Sequence, residues 1–388
     1  MDGVRVRVAS AYATFALLGV GIGASGVLLP AQLDDYGVDR ATLGLTFLTG
    51  SAGFVLGGAA AGPLLHRWGP RTVLAAAGVL FAVAALVTAA HPPFVGYALL
   101  QAVVGWASGV LESVLNAVLA ALPGATTRLN RLHAFFGAGA LLGPVGATRL
   151  LATAPWPTTW LVLGLAALPL VACYLVAFPA RAPASSPTRS TGLLGTALRH
   201  RGVLVATLLL VLYVGLEQSV GSWGFSYLVQ ARGHADAAAG YAVGAYWLGL
   251  TVGRFTISPV LTRLGWTAVG LMTLCLSGVA VAAAALWLTP FPPVAGFALL
   301  GFALGPVFPT AIAVVPDLVG PRLAPTAMGV LNAGSSIGGG VLPWSAGALA
   351  QAVGVGTLLP FALALAVLQL VVWWPVARLV RSGPTGTV

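Results

Sequence analysis

The sequence predicts an all-α membrane protein: twelve transmembrane helices in two pseudo-symmetric six-helix bundles. Three observations lead there. Of 388 residues, 59% are hydrophobic and only 7% charged, whereas a soluble domain carries about 25% charged residues. The apolar residues fall in runs long enough to cross a bilayer, which takes about 20 helical residues. The two halves also repeat one another.

The runs place spans at about 9–30, 40–65, 72–90, 94–122, 131–153 and 158–179, then 202–230, 237–262, 267–289, 292–316, 323–351 and 356–378. Short connections marked by Pro or Gly, such as His91-Pro-Pro93 and Phe291-Pro-Pro293, separate them. The one long polar connection, rich in Pro, Ser and Arg, runs over about 180–201. It divides the chain into an N-terminal bundle (1–179), a linker (180–201) and a C-terminal bundle with a short tail (202–388). The first span is too long for the apolar core of a signal peptide and is expected to stay in place. Cys173 and Cys275 lie in separate apolar spans, so they read as packing residues rather than a disulfide or metal site.

The repeat shows as recurring pairs. Gly57, Pro63, Arg67 and Gly69 match Gly253, Pro259, Arg263 and Gly265 at an offset of 196. Pro92, Pro93, Gly96, Ala98, Leu99, Leu100 and Gly105 match Pro292, Pro293, Gly296, Ala298, Leu299, Leu300 and Gly305 at an offset of 200. Gly139 and Gly143 match Gly334 and Gly338 at 195. Two parallel six-helix repeats with a midplane site between them describe an alternating-access transporter.

Orientation follows from charge. There is no Lys, all 18 basic residues are Arg, and the formal net charge is +10. Arg5, Arg7, Arg67, Arg71, Arg128, Arg131, Arg181, Arg189, Arg199, Arg201, Arg263, Arg322, Arg378 and Arg381 all fall on one side of a twelve-span topology. Asp34, Asp35, Asp39 and Asp236 fall on the other, with Arg40 and Arg232. Positive loops stay inside, so both termini are expected in the cytoplasm, in the inner membrane of a bacterium. The Arg residues then read as topology and lipid-headgroup contacts, and a nucleic-acid partner is not expected.

Polar residues inside spans carry the functional expectation. An acid at mid-membrane costs roughly 2.5–3.5 kcal/mol on insertion scales, so it marks a functional site by default. Ser108, Glu112 and Asn116 recur every four residues and form one polar stripe on the fourth span. Glu112 is the first candidate for coupling, by taking up and releasing a proton or by coordinating Na⁺. Glu217 in the seventh span is the second acid, with Tyr213 one turn away and Gln218 adjacent. It is a candidate for the coupling ion or for substrate hydroxyls. An ion pair with Arg254 is the structural alternative. Gly215, Gly221 and Gly224 can let that span bend. Asn116, Gln218 and Asn332 offer donors and acceptors suited to hydroxyl-rich solutes. Trp223, Trp106 and Trp247 can stack on a sugar face, although each is as readily a packing residue. Arg254 reads as a pin between helices or to a loop. His133 reads as a helix-packing residue, and His91, His200 and His234 as loop residues. No catalytic set, phosphate loop or dinucleotide motif is evident, which argues against an enzyme and against a bound cofactor.

Gly62-Pro-Leu-Leu-His-Arg-Trp-Gly-Pro-Arg71, between the second and third spans, resembles the signature loop of the major facilitator superfamily. Gly62, Arg67, Gly69 and Arg71 match, whereas His66 stands where the family has Asp and Pro70 where it has a basic residue. The resemblance implies a conformational latch formed by these residues with Arg254. Spans one, four, seven and ten would then line the cavity. A narrower resemblance is to the fucose/glucose permease-like (sugar:proton symporter) family. It rests on Leu111-Glu-Ser-Val-Leu-Asn116, Leu129–Gly139 with Gly143-Pro144, Tyr213–Trp223, Trp247–Phe255 and Leu342-Pro-Trp344 with Gly347. It implies uptake of a sugar or similar polyol driven by a cation gradient. Those permeases pair an acid of the first span with that of the fourth, and the first span here has no acid.

The expectation is therefore a secondary active transporter, a monomer in the bilayer, moving a small polar solute by alternating access. A sugar is the first candidate, with H⁺ or Na⁺ as the coupling ion. A proton-driven exporter of a drug-like or metabolic compound is the alternative, favoured by Phe302 and Phe308 in the tenth span. A membrane receptor without transport would need a larger soluble domain than these loops provide.

Overall fold

The structure, a computed structural model, describes residues 2–180, 193–320 and 322–382. Every regular element among them is helical: α1 (Asp2–Tyr36), α2 (Arg40–Ala89), α3 (Phe94–Ala120), α4 (Ala125–Leu151), α5 (Pro157–Ala177), α6 (Leu193–Arg199), α7 (Arg201–Ser226), α8 (Asp236–Arg263), α9 (Ala268–Leu288), α10 (Pro293–Leu304), α11 (Val307–Ala313), α12 (Val315–Val319), α13 (Ala324–Val353) and α14 (Leu358–Ser382). Nine stretches among the described residues are long and apolar enough to cross a membrane. One of these, α2, is 50 residues long and contains two spans joined at Gly69, and α8 and α13 have spanning length at 28 and 30 residues. The twelve predicted spans are all present.

Several boundaries differ from expectation for identifiable reasons. The second and third spans join without a loop, because Gly69 turns the chain at φ 73°, ψ 165° and Pro70 restarts the helix. The tenth span comes in three pieces, α10 to α12, interrupted at Gly305-Pro306 and at Val314, two residues before Pro316. Proline lacks the N–H that a continuous helix needs. The seventh span ends in a π-helical turn, Tyr227–Ala231. Part of the expected linker is helical, as α6. Residues 181–192, with Arg181 and Arg189, and the tail 383–388 lie outside the described residues.

The chain divides into two compact units, Met1–Ser186 with Ala235–Gly244, and Pro187–His234 with Ala245–Val388. The first turns of α8 thus group with the first unit, which the sequence reading did not expect.

In the first unit α2 packs along α3 and α5, and α1 along α4. Ala11, Phe15, Leu74, Val110, Leu115 and Tyr174 form its core, and Thr14 hydrogen-bonds the buried Tyr174 hydroxyl. In the second unit α7 packs on α13 and α14, and α9 on α10 and α14. The Trp223 indole donates to the Pro343 carbonyl (2.9 Å), and that of Trp373 to the Thr273 hydroxyl (3.0 Å).

Close glycine contacts reveal the true register of the repeat. A methyl group on Gly53 or Gly57 would overlap the Ala102 or Trp106 carbonyl, and one on Gly105 or Gly109 the Gly50 or Phe54 carbonyl. In the second unit Gly249, Gly253, Gly301 and Gly305 stand in the same way against Ala298, Phe302, Tyr246 and Leu250. Every member of this set is offset by 196. Gly105 therefore corresponds to Gly301 and not, as the proline-anchored alignment at 200 implied, to Gly305. Small residues at such crossings let backbones approach closely where lipid offers no hydrophobic drive.

Two outcomes follow. Gly105→Val should lower the detergent melting temperature, at a cost of about 1–3 kcal/mol for overpacking, whereas Gly62→Ala, with nothing within 4 Å, should not lower it. Asp39 caps α2 by accepting the Thr42 N–H at 2.7 Å, and that bond holds its carboxyl below the ordinary carboxylate range. A depressed acid stabilises above its unfolded value and loses that contribution as pH falls through its folded one. Asp39→Ala should therefore melt earlier than wild type at neutral pH, with the difference closing as the pH drops below about 4, measured by circular dichroism.

Candidate functional site

In the first unit the polar stripe of the fourth span lies on α3. Ser108 Oγ donates to the Val104 carbonyl at 2.8 Å and Asn116 Nδ2 to the Glu112 carbonyl at 2.9 Å. Each flanking side chain thus makes one bond to its own helix. The Glu112 carboxylate, on a half-buried residue, has no hydrogen bond or ion pair among the described residues. An unpartnered acid inside an apolar helix is a place where a proton or cation can be held. Trp106 packs against the apolar core beside it.

In the second unit the acid sits in a denser cluster. Glu217 is 9% exposed, and Tyr213 and Tyr246 are fully buried. The Tyr213 hydroxyl and the Gln218 amide lie beside the Glu217 carboxylate. Tyr246 Oη donates to the Glu217 backbone carbonyl at 2.9 Å. Arg254 comes from α8, with Nη2 3.5 Å from the Tyr213 hydroxyl and Nε 3.5 Å from the Gly305 carbonyl. No Glu217–Arg254 ion pair within 4 Å forms among the described residues. The Tyr213 hydroxyl stands between acid and guanidinium instead, with Phe308 at a ring separation of 6.1 Å.

The sequence-predicted residues are thus brought together unequally. Tyr213, Glu217, Gln218 and Arg254 form one cluster. Asn332 is exposed on α13, where its carbonyl accepts from Ser335 and Ser336, and it shares no hydrogen bond with that cluster. Trp223 is 1% exposed with its indole N–H engaged, so here it fills core space. Trp247 is also buried and lies over Gly221. Gly215 faces Leu342. These two glycines serve packing rather than a bend, and the departure from α-geometry comes later, at Tyr227–Ala231.

In the signature loop, Gly62 is open, Arg67 lies 5.6 Å over its neighbour Trp68, and His66 is exposed. Arg71 donates through Nε to the Phe178 carbonyl at 2.8 Å and through its backbone N–H to the Pro179 carbonyl at 3.2 Å. It satisfies free carbonyls at the end of α5, where a basic group is favourable.

One polar cluster escaped the sequence reading. His91 Nε2 and Trp156 Nε1 both lie 2.6 Å from Asp35 Oδ2. Tyr36 stacks on His91 with ring centroids 5.2 Å apart, and donates through its hydroxyl to the Pro92 carbonyl at 3.1 Å. Gln32 donates to Tyr97 Oη at 3.0 Å. His91 has φ 59°, the positive φ of a non-glycine residue among those described. A cavity of about 360 Å³ lies alongside, lined by Asp35, His91, Pro155, Pro157, Thr158 and Leu161 among others. The partners of Asp35 are 56 and 121 residues away in the chain, beyond the reach of any local pattern. No group of three or more His, Cys, Asp or Glu among the described residues is placed to hold a metal ion.

These features describe a multi-pass helical membrane protein with acids inside its spans. The family model of the Major Facilitator Superfamily matches residues 11–294 and 225–387; the chain belongs to this superfamily, and it is a transporter rather than an enzyme. Among curated relatives, "Bypass of stop codon protein 6" of Saccharomyces cerevisiae is 24% identical over 91% of this chain and 78% of its own length. A "Glucose/galactose transporter" of Brucella abortus is 26% identical over 60% of this chain and 58% of its own. Among solved structures, the nucleoside transporter NupG superposes with a TM-score of 0.79 at 14% identity, covering 98% of this chain and 99% of its own. That last likeness is one of fold.

Trp156→Phe removes one of the two donors to Asp35. The Asp35 and His91 side chains are 42% and 45% exposed, so the expected loss is about 1 kcal/mol after solvent screening. It should appear as a fall of a few degrees in the melting temperature.

Proposed function

We propose that this protein is a secondary active transporter of a small, hydroxyl-bearing polar solute, with a sugar the leading class. It works by alternating access coupled to H⁺ or Na⁺. It resides as a monomer in the inner membrane of a bacterium, with both termini cytoplasmic and no cofactor. The carrying observation is the Glu112 carboxylate, which no side chain of the described residues neutralises although it lies inside an apolar helix. Such a group is costly unless its charge is used. The cluster of Tyr213, Glu217 and Gln218 supports the same reading, since a carboxylate, a phenol and an amide match a solute rich in hydroxyls. The sequence resemblance to the fucose/glucose permease-like family points the same way, as does the Brucella relative whose name specifies glucose and galactose. Glu112 is assigned to the coupling ion and Asn116 to the solute. Gly62, Arg67, Gly69 and Arg71 are assigned to the latch between conformations.

Reconstitution into liposomes tests this. Wild type should accumulate a labelled sugar from a panel under an imposed pH or Na⁺ gradient. Glu112→Gln, which cannot change charge, should lose gradient-driven accumulation by at least about tenfold, a loss on the order of 1.4 kcal/mol of coupling, while keeping sugar exchange. Flux of drug-like compounds with no flux of any polyol would overturn the proposal in favour of an exporter.

A further inference from the structure

Arg254 is more than a pin between helices. A guanidinium presents five N–H donors and is always charged. Here two of its nitrogens reach partners only at 3.5 Å, the Gly305 carbonyl and the Tyr213 hydroxyl. Nη1 has no hydrogen-bond partner, and no carboxylate lies within 4 Å, among the described residues. The residue is half-buried in the interior of α8. A cation inside a span normally meets a tight counter-charge. The acid of this cluster, Glu217, forms no ion pair with Arg254 among the described residues, and the Tyr213 hydroxyl stands between the two.

We propose that Arg254 is the anion-recognition group of the substrate site, and that the solute carried is a hydroxylated monocarboxylate, such as a uronic or aldonic acid. This rests on the polar-solute reading above and narrows it. A planar guanidinium held through Nε at one backbone carbonyl keeps its far edge for a planar carboxylate, the geometry in which two parallel N–H···O bonds form. The Tyr213 hydroxyl stands beside it for one of the solute's hydroxyls. A bound carboxylate and an ionised Glu217 would then share one guanidinium. Two anions with one cation repel, so one proton enters with each substrate anion and resides on Glu217. The charged and titratable groups facing Glu217 are Tyr213 on its own helix, beside the amide of Gln218, and Tyr246 and Arg254 on α8. From α13, Leu342 and Pro343 pack on α7, and neither titrates. Arg254 supplies the one formal charge in that set besides Glu217.

The test is uptake and competition in proteoliposomes, with glucuronate, gluconate and glucose as probes, for wild type, Arg254→Lys, Arg254→Gln and Glu217→Gln. Detergent melting shifts with the same three compounds provide a readout independent of turnover. Wild type should take up an acid with a KM at least about tenfold below that of glucose, in line with gain of a charged hydrogen bond, and with one proton more per solute than glucose brings, so that acid and glucose uptake carry the same net charge. Arg254→Gln should raise the KM for the acid by about tenfold or more and change that for glucose by less than about twofold; Arg254→Lys should fall between. Glu217→Gln should still bind the acid but lose that additional proton, so that the net charge carried with each acid falls by one. Equal losses for acid and neutral sugar in both Arg254 variants would overturn the proposal, leaving Arg254 a structural pin. Glucose uptake by wild type that neither acid inhibits would also overturn it, with the polar-solute reading intact. If no polyol, charged or neutral, is carried or shifts melting, both readings fall. Should Arg254→Gln not fold, the wild-type competition and Arg254→Lys decide the matter.

Discussion

A backbone in hydrocarbon has no water to bond with, and each N–H or C=O left unpaired there costs several kcal/mol. Helices meet that demand locally, which explains why the described chain is helical almost end to end. Once every helix is satisfied by itself, helix association depends on close packing rather than on removing apolar surface from water. The glycines of α2 against α3, and of α8 against α10, supply that packing in each unit. The placement of Glu112 and of Arg254 follows from these crossings, since Gly109 lies three residues before the one and Gly253 immediately before the other.

Much of this was legible beforehand. Twelve apolar runs need only composition and length, and a linker needs only a polar stretch. The breaks within spans were not legible. Apolar periodicity is blind to Gly69 fusing two spans, and the three pieces of the tenth span depend on where prolines fall relative to helix starts. The repeat was visible, but its register was set wrongly by Pro-Pro pairs, because loop residues align by turn chemistry whereas helices align by contact.

The site was legible in its acids and less so in its partners. Glu112 and Glu217 stand out in any apolar span. That Tyr213 lies between Glu217 and Arg254 required the placement of α7 against α8, which no local pattern encodes. Trp223 shows the converse: an aromatic residue near a polar one suggests a stacking platform, yet its ring is enclosed and its N–H taken by Pro343. The Asp35–His91–Trp156 cluster joins residues from three chain regions, each ordinary alone.

The corrected register has a consequence for the two ends of the repeat. From Pro93 to Ala102 is nine residues, and from Pro293 to its packing counterpart Ala298 is five. The first unit therefore carries one additional helical turn, about 6 Å at 1.5 Å per residue, ahead of an otherwise shared crossing. That turn carries the His91-Pro-Pro93 corner outward to where Asp35 and Trp156 close on it. The second unit has the corner without the turn. An ancestral symmetry was thus kept at the crossings, where backbones touch and any added atom collides, and relaxed at the rim, where a single turn can be inserted without disturbing a contact.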